Sequence, residues 1–234
     1  MIRSIKIIQF FIACFTVAVV NAQDVNKLIT KVKANIDRVN DYEATARMIT
    51  NVSFLKVPDA DVKVYFKKPN KLKIKNEKGI SFVPKGAVSI NLNNILNGSK
   101  YTAIDAGTDK IGNTTVRVVK LLPEDDNADV VLSTVYIDEA LFVIRRAKTT
   151  TRANGSYQLE MSYGQYAAFG LPDKIVFSFD TKDYKLPKGI TFDFDDGTQN
   201  NRSAADKAKS RNGKAEITFS AYVINKGVME EVFK

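Results

Sequence analysis

The sequence predicts a mainly β protein of the α+β class, in which a large curved antiparallel sheet forms a half-open barrel. An N-terminal amphipathic helix and a short lid helix are expected to pack on the concave side of that sheet. Apolar and polar residues alternate with a period of two in roughly ten segments, which is typical of strands. One helical pattern precedes these segments, and no helical crossovers separate them, so parallel βαβ units are disfavoured.

The helical pattern begins just after residue 23. Apolar residues recur there at spacings of three and four, while the lysines fall elsewhere on the helical wheel. Asp24 is placed to cap the first turn. The pattern therefore predicts a surface helix that lies on the sheet through one apolar face. That face consists of Val25, Leu28, Ile29, Val32, Ile36 and Val39.

Strand-like alternation begins at Tyr42 and continues almost to the end of the chain. An Asn154–Gly155 pair between two alternating segments predicts a tight hairpin. In the last segment, Ile217, Phe219, Ala221 and Val223 are predicted to share one face. The alternating segments are 42–54, 62–67, 71–75, 116–122, 130–137, 141–151, 156–163, 175–179, 190–194 and 217–223.

Two stretches interrupt this alternation. Residues 84–98 are not strand-like throughout, and 91–97 is predicted to form the short lid helix. Residues 195–214 are polar and small, which predicts a mobile surface loop between two strands. Neither stretch reads as a linker, so residues 23–234 are predicted to form a single domain.

The composition excludes several classes of site. The chain has 234 residues, of which 44% are hydrophobic, so it can bury a core. Histidine is absent and Cys14 is the single cysteine, which excludes Cys/His zinc sites and Ser-His-Asp triads. We predict no metal and no cofactor. The net charge of +9 is spread in no dense block, so we expect no nucleic-acid partner.

Residues 1–22 have the pattern of a cleaved secretory signal peptide. Arg3 and Lys6 precede a mostly apolar run, and small residues stand before Gln23. The run is too short to span a membrane comfortably as a helix. We therefore expect export to the periplasm. Lipid attachment at Cys14 is an alternative, because the preceding alanine is typical of a lipobox.

Catalysis has little support in the sequence. Glu124, Asp125, Asp126 and Asp129 form an acidic cluster, which can perform acid–base chemistry only inside a shaped pocket. A solvated turn is the simpler interpretation. Residues 193–197 weakly resemble a calcium loop but lack its register and closing glutamate. We assign no catalytic residue and expect a protein that is not an enzyme.

Several short motifs resemble the LolA family, the periplasmic carriers of outer-membrane lipoproteins. In that family a basic pair, a proline and an asparagine follow the second strand, as they do within the run from Val64 to Ile74. The turn and strand at 97–101 and the strand end at 135–138 are similar to further family motifs. The segment 166–176 looks like that of the outer-membrane lipoprotein-sorting relatives. Together with the order of elements, the resemblance covers most of the chain after the signal peptide.

The resemblance implies a half-open barrel whose concave apolar face receives acyl chains. Family carriers place an arginine just before the proline, where it contacts the lid and holds the closed state. Lys68 occupies that position here, and lysine lacks the planar fork of arginine. Lys68 is therefore a candidate lid latch. The candidate lipid-binding residues are Phe54, Val64, Phe66, Leu72, Ile74, Phe82, Ile175, Phe177, Phe179, Ile217 and Phe219.

The leading functional hypothesis is a periplasmic lipid-binding carrier that shuttles lipoproteins toward the outer membrane. Its expected partners are lipoproteins or other acylated lipids, an inner-membrane release complex and an outer-membrane acceptor. A monomer is expected. The alternative is a LolA-fold binding or sensor module that recognises a lipid or lipoprotein without transporting it. A hydrolase that uses the acidic cluster is a third hypothesis.

Overall fold

The computed structural model describes residues 24–52, 55–56, 58–69, 71–76, 96, 100–152, 155–180 and 212–234. In these residues the chain forms helix α1 over residues 24–37, eleven strands and two short 3₁₀ turns. The turns are Ala167–Phe169 and Glu230–Phe233. The strands are β1 (Asp41–Val52), β2 (Leu55–Lys56), β3 (Ala60–Lys67), β4 (Lys71–Asn76), β5 (Tyr101–Ile111), β6 (Thr114–Pro123), β7 (Val130–Asp138), β8 (Val143–Thr151), β9 (Gly155–Ser162), β10 (Lys174–Asp180) and β11 (Asn212–Ile224).

All the described strands belong to one antiparallel sheet. Its order is β4-β3-β1-β11-β10-β9-β8-β7-β6-β5, and the short β2 pairs with β1. The sheet is curved and open, with β4 and β5 at its two edges. The predicted fold class, a half-open antiparallel barrel with a helix packed on it, is therefore confirmed.

The strands join through local hairpins and one long-range pairing. The strands β5 to β10 each pair with the next strand along the chain. The first strand, β1, instead pairs with the last, β11, and Tyr42 lies opposite Ile224. This pairing brings the two ends of the domain together in the middle of the sheet, so neither end is left as an exposed edge strand.

A bulge changes the phase of β11. Thr45 and Ala46 of β1 are adjacent in sequence, yet they lie opposite Ala221 and Phe219 respectively. The extra residue in β11 reverses the side-chain alternation beyond it. Tyr222 is consequently buried and Val223 is 53% exposed. The predicted common face of Ile217, Phe219, Ala221 and Val223 is therefore wrong beyond Phe219.

The core lies on one face of the sheet, which we call the inner face and which carries Met48, Ile217 and Phe177. Ile217 lies opposite both Met48 and Ile175, so these side chains share that face. The buried side chains there form two clusters. The first contains Val119, Leu121, Val135, Ile137, Ile144, Ala147, Leu159, Met161, Phe177, Phe179 and Ala215 together with helix residues and Leu96. The second contains Ala44, Ala46, Met48, Val62, Val64, Ile74, Ile217 and Tyr222.

Helix α1 covers the first cluster. Val25, Leu28, Ile29 and Val32 are each at most 7% exposed and belong to that cluster, with Ile36 packed against it. Their spacing of three and four residues puts them on one face of the helix. The predicted amphipathic helix is present and packs through its apolar face, but it ends at Asp37, so the buried Val39 lies beyond it and not on that face. None of these helix residues belongs to the second cluster.

Strand β5 is not among the alternating segments of the sequence. It is an edge strand, and most of its residues are exposed, so burial imposes little alternation on them. Residues 212–214 of the predicted surface loop form the start of β11. The signal peptide, segment 190–194 and the lid helix apart from Leu96 lie outside the described residues. In the described part of the chain, no helix is long and apolar enough to cross a membrane.

Candidate functional site

The inner face carries every predicted lining residue that the structure describes. Cross-strand pairs place them there, for example Val64 opposite Ile74 and Phe66 opposite Leu72. Each of them is buried or half-buried. These residues are Val64, Phe66, Leu72, Ile74, Ile175, Phe177, Phe179, Ile217 and Phe219. The other two, Phe54 and Phe82, lie outside the described residues.

The structure distributes these residues over two regions. Phe177 and Phe179 belong to the first cluster, where their ring centroids are 5.1 Å apart under helix α1. Val64, Ile74 and Ile217 belong to the second cluster. The predicted lining is therefore divided between two apolar clusters on one face of the sheet, and α1 packs on the first of them.

Gly213 allows an aromatic ring to lie directly on the backbone of β11. It pairs with Phe179, and a Cβ atom built on Gly213 would stand 2.2 Å from Cζ of that ring. No side chain fits in that space unless the ring moves. The glycine therefore sets the position of Phe179 on the inner face. The sequence analysis placed Gly213 in a loop and did not detect this role.

An aromatic group that sequence reasoning missed borders the second cluster. The ring of Tyr222 lies 5.3 Å from that of Tyr42 and 4.9 Å from that of Tyr166. The hydroxyl of Tyr222 donates a hydrogen bond of 2.7 Å to the carbonyl oxygen of Pro172. Burial raises the pKa of Tyr222 and of Tyr42, so both phenols stay neutral at neutral pH. Only the bulge in β11, which has no clear sequence signal, brings Tyr222 to this face.

Lys68 contacts the C-terminal end of helix α1. Its ammonium group donates a hydrogen bond of 2.7 Å to the backbone oxygen of Asp37, the last helical residue, and lies 3.8 Å from the Asp37 carboxylate. A cation is favourable there, because the C-terminus of a helix carries a partial negative charge. Val62, Val64 and Phe66 point to the inner face, and Lys68 continues their phase toward the helix.

Two further polar contacts hold the same end of α1. The side-chain amide of Asn225 donates to the Arg38 carbonyl at 2.8 Å, and its oxygen accepts from the Asn40 amide at 2.7 Å. The Arg38 guanidinium donates to the Ala168 carbonyl at 3.2 Å. The helix end is thus tied to β11 and to the 3₁₀ turn before β10.

Gly170 adds close packing at this point. Its φ of +64° is in the left-handed region, and a Cβ atom there would lie 3.1 Å from Cγ1 of Ile36. The segment 166–176 and the segment around Lys68 were both singled out by their sequence motifs. The structure brings the two segments together at the end of α1. The motifs did not predict that these segments would meet.

The other end of α1 lies near an ion pair on the inner face. Arg117 is 3.2 Å from Asp105 and 3.3 Å from Glu139. Burial opposes the charge on Arg117, but Glu139 and Asp105 outweigh it and raise the pKa of the guanidinium. Sequence reasoning missed this pair, because Asp105 and Arg117 come from neighbouring strands with a bulge between them. Arg117 is paired with both carboxylates, so its guanidinium is not an isolated charge at this border of the inner face.

The acidic cluster does not form a pocket. Glu124, Asp125, Asp126 and Asp129 are all exposed in the turn between β6 and β7. Asp125 is engaged with its own turn, where its carboxylate accepts a hydrogen bond from the backbone of Asn127 at 2.9 Å. Within the described ranges, no group of three or more acidic, histidine or cysteine side chains is arranged to hold a metal ion.

Comparison with known proteins shows similarity in fold to several solved structures. No protein-family profile matches the chain, and no curated protein matches its sequence. A solved outer membrane lipoprotein-sorting protein domain from Vibrio parahaemolyticus is similar in structure, with a TM-score of 0.56 at 13% identity over 91% of this chain and 97% of that one. A LolA superfamily protein from Nitrosomonas europaea has a TM-score of 0.54 at 10% identity, over 90% and 97% of the two chains.

A DUF1329-family protein from Desulfovibrio piger is similar to the same degree, with a TM-score of 0.55 at 11% identity over 92% and 97% of the two chains. The chain therefore has the fold of the LolA superfamily. At these identities the likeness concerns the fold alone. The arrangement of its inner face, apolar and bordered by compensated charges, is suited chemically to binding hydrocarbon.

Proposed function

We propose that this protein is a periplasmic lipid-binding carrier that shelters the acyl chains of lipoproteins on its inner face and shuttles them toward the outer membrane. The observation that carries the proposal is the apolar inner face, which carries two hydrophobic clusters and of which helix α1 covers only the first. The Vibrio domain of similar fold is described as lipoprotein-sorting, which supports the same direction.

Apolar contact alone can hold such a ligand. Burial of each CH₂ group contributes about 0.8 kcal/mol, so a few acyl chains bind firmly without any charged partner. We assign the contact to the predicted lining residues, including Phe54 and Phe82. The charged side chains of Arg117 and Asp105 stand at the border of this surface and compensate each other.

Lys68 is proposed to hold the helix in place. Its hydrogen bond to the Asp37 carbonyl ties the end of α1 to the residue that follows β3. Helix α1 can therefore move away from the sheet only if this bond breaks or if the helix rotates about it. This assignment keeps the predicted latch role but gives it a different target, the end of α1. Replacement by glutamate would bring a negative charge to the negative end of the helix.

The remaining parts of the proposal follow from the same role. Export requires removal of residues 1–22, after which residues 23–234 act as one domain in the periplasm. A carrier also needs a donor of the lipoprotein at the inner membrane and an acceptor at the outer membrane. We propose that the protein meets both as a monomer.

The test is mass spectrometry of residues 23–234 recovered from the native periplasm without detergent. Solvent extraction then identifies any bound acyl species. We expect a lipoprotein or diacyl lipid at near-stoichiometric amount. A protein free of lipid that also fails to bind a hydrophobic fluorophore would contradict the proposal and favour a binding or sensor module.

Two variants serve as a matched pair in that experiment. Leu72→Asp places a charge at a half-buried inner-face position, and Val223→Asp places one at an exposed position of β11. Circular dichroism first establishes that both variants fold. Only L72D is expected to lose the bound lipid, and equal lipid content in L72D and V223D would exclude the inner face as the binding surface.

A further inference from the structure

A buried hydroxyl on the inner face has no hydrogen-bond partner. Thr50 is 8% exposed, and its Oγ1 is the one buried side-chain polar atom without a partner among the residues that the structure describes. Buried polar groups in folded proteins are hydrogen-bonded in the large majority of cases, because leaving one unpaired is unfavourable. Thr50 is therefore a candidate to form a hydrogen bond with a polar group of a bound ligand.

Thr50 lies where the two hydrophobic clusters meet. It follows Met48 in the inward phase of β1 and stands directly opposite Ala215, whose other neighbour across the sheet is Phe177. Ala215 and Phe177 belong to the first cluster, whereas Met48 belongs to the second. A ligand that extends over both clusters at this point lies against the Thr50 hydroxyl.

Another buried hydroxyl pair on the inner face shows the usual arrangement. Thr149 and Ser133 are 1% and 4% exposed, lie opposite each other on β8 and β7, and form a hydrogen bond of 3.0 Å between their side-chain oxygens. These two buried hydroxyls of the inner face thus have a hydrogen-bond partner within the protein. Thr50 differs, because the side chain opposite it is the methyl group of Ala215.

We propose that Thr50 donates its hydroxyl hydrogen to the ester carbonyl oxygen of an acylated ligand. The inference rests on the proposed function of the inner face, and it names the ligand class as O-acyl esters rather than hydrocarbon in general. An ester carbonyl accepts a hydrogen bond and offers none, which matches a lone hydroxyl donor. The apolar surroundings strengthen such a bond and leave the acyl chain to pack on the clusters.

The test uses Thr50→Val, which replaces the hydroxyl by a methyl group of similar size. Methyl tetradecanoate and heptadecane, a hydrocarbon with the same number of non-hydrogen atoms, are each used to displace a hydrophobic fluorophore from the protein. We expect T50V to bind the ester about fivefold more weakly than the wild type, the value of one hydrogen bond. Heptadecane should bind the two proteins equally, and the free T50V protein should melt at no lower temperature than the wild type.

Thr149→Val is the matched control. It removes a hydroxyl that is already bonded and leaves Ser133 unpaired, so its melting temperature should fall. The ratio of its affinities for methyl tetradecanoate and heptadecane should equal that of the wild type. If T149V lowers this ratio as much as T50V does, the inference is overturned.

The remaining outcomes separate this inference from the proposed function. Equal ester binding by T50V and the wild type overturns the role of Thr50 but leaves lipid binding intact. Failure of both ligands to bind the wild type overturns the two proposals together. A clear fall in the melting temperature of free T50V would mean that the hydroxyl is already bonded, which also overturns the inference.

Two natural esters identify the source of the ligand. A diacylglyceryl lipopeptide represents a lipoprotein anchor, and phosphatidylethanolamine represents a membrane lipid. Weaker binding of either one by T50V supports the inference and names that source, whereas unchanged binding of both contradicts it.

Discussion

At the scale of single residues, a few side chains place the larger elements. Lys68 was singled out by its position before a proline, and the structure connects it to the end of α1. Gly213 has no side chain, yet it decides where Phe179 can lie. In both cases the role depends on one close contact, so single substitutions test it.

Lys68→Met keeps the aliphatic stem and removes the ammonium group. We expect the free energy of unfolding to fall by about 0.5–1.5 kcal/mol, because the hydrogen bond to Asp37 and its favourable charge at the helix end are lost. Chemical denaturation measures this fall, and amide exchange in the last turn of α1 should accelerate. Lys120→Met, on an exposed position of β6, is the control. Equal effects of the two substitutions would contradict the contact.

Gly213→Ala introduces a Cβ atom into the space of the Phe179 ring. We expect a loss of about 1–3 kcal/mol in the free energy of unfolding, typical of overpacking in a core. Urea denaturation measures it. A second substitution, Phe179→Leu, should restore part of the loss in the G213A background, although it destabilises the wild type. If the two effects simply add, the ring does not lie on Gly213.

At the scale of elements, the C-terminal segment 228–234 is held to β3 and β4 by lysines. Lys67 and Lys71 lie opposite each other, and the Glu230 carboxylate is 2.9 Å and 2.5 Å from their ammonium groups. Lys67 also donates to the Val228 carbonyl, and Lys73 donates to the backbone oxygen of Lys234. Two like charges directly opposite each other are unfavourable, and Glu230 relieves that repulsion.

These contacts make the attachment of the segment dependent on pH. The hydrogen bonds from Lys71 and Lys67 lower the pKa of Glu230 from 4.5 to about 2. Since the folded-state pKa is depressed, the contribution of Glu230 to the attachment is complete above pH 4.5 and is lost as the pH falls through about 2. Amide chemical shifts of residues 228–234 should follow this change. Glu230→Gln should abolish it, and a wild-type midpoint near 4.5 would exclude the ion pairs.

At the scale of the whole molecule, the proposed function requires the inner face to be a ligand surface and not a filled core. The face is lined by small residues near its centre, where Ala44 and Ala46 lie on β1 and Ala215 on β11. Small side chains leave room for a ligand only if nothing else occupies it. A substitution that adds volume there separates the two cases.

Ala46→Leu is the test of volume. If acyl chains occupy this surface, the variant should keep its melting temperature within a few degrees and bind about tenfold less hydrophobic fluorophore, because it fills space reserved for ligand. Thermal unfolding and fluorophore titration measure the two quantities. Thr45→Leu, an exposed neighbour on the other face of β1, is the control. A strongly destabilised A46L with unchanged fluorophore binding would indicate a filled core.

The sequence by itself determined which residues of α1 and of regular strands such as β3 face the core. Val62, Val64 and Phe66 alternate inward, and Val25, Leu28, Ile29 and Val32 form the buried face of α1, as predicted. These patterns are local, because a strand repeats every two residues and a helix every 3.6. They sufficed for the fold class and for the inward orientation of the described candidate residues, whose contact with a ligand stays a prediction.

The tertiary structure decided what depends on contacts between distant segments. The bulge that turns Tyr222 inward arises where β11 meets β1. Edge strand β5 has no apolar alternation in its sequence, because Asp105 takes a half-buried position and Ile104 an exposed one. The target of Lys68 and the unpaired hydroxyl of Thr50 likewise follow from what lies opposite them in space. A sequence pattern records how often a residue is buried, but only the assembled sheet determines which partner it meets there.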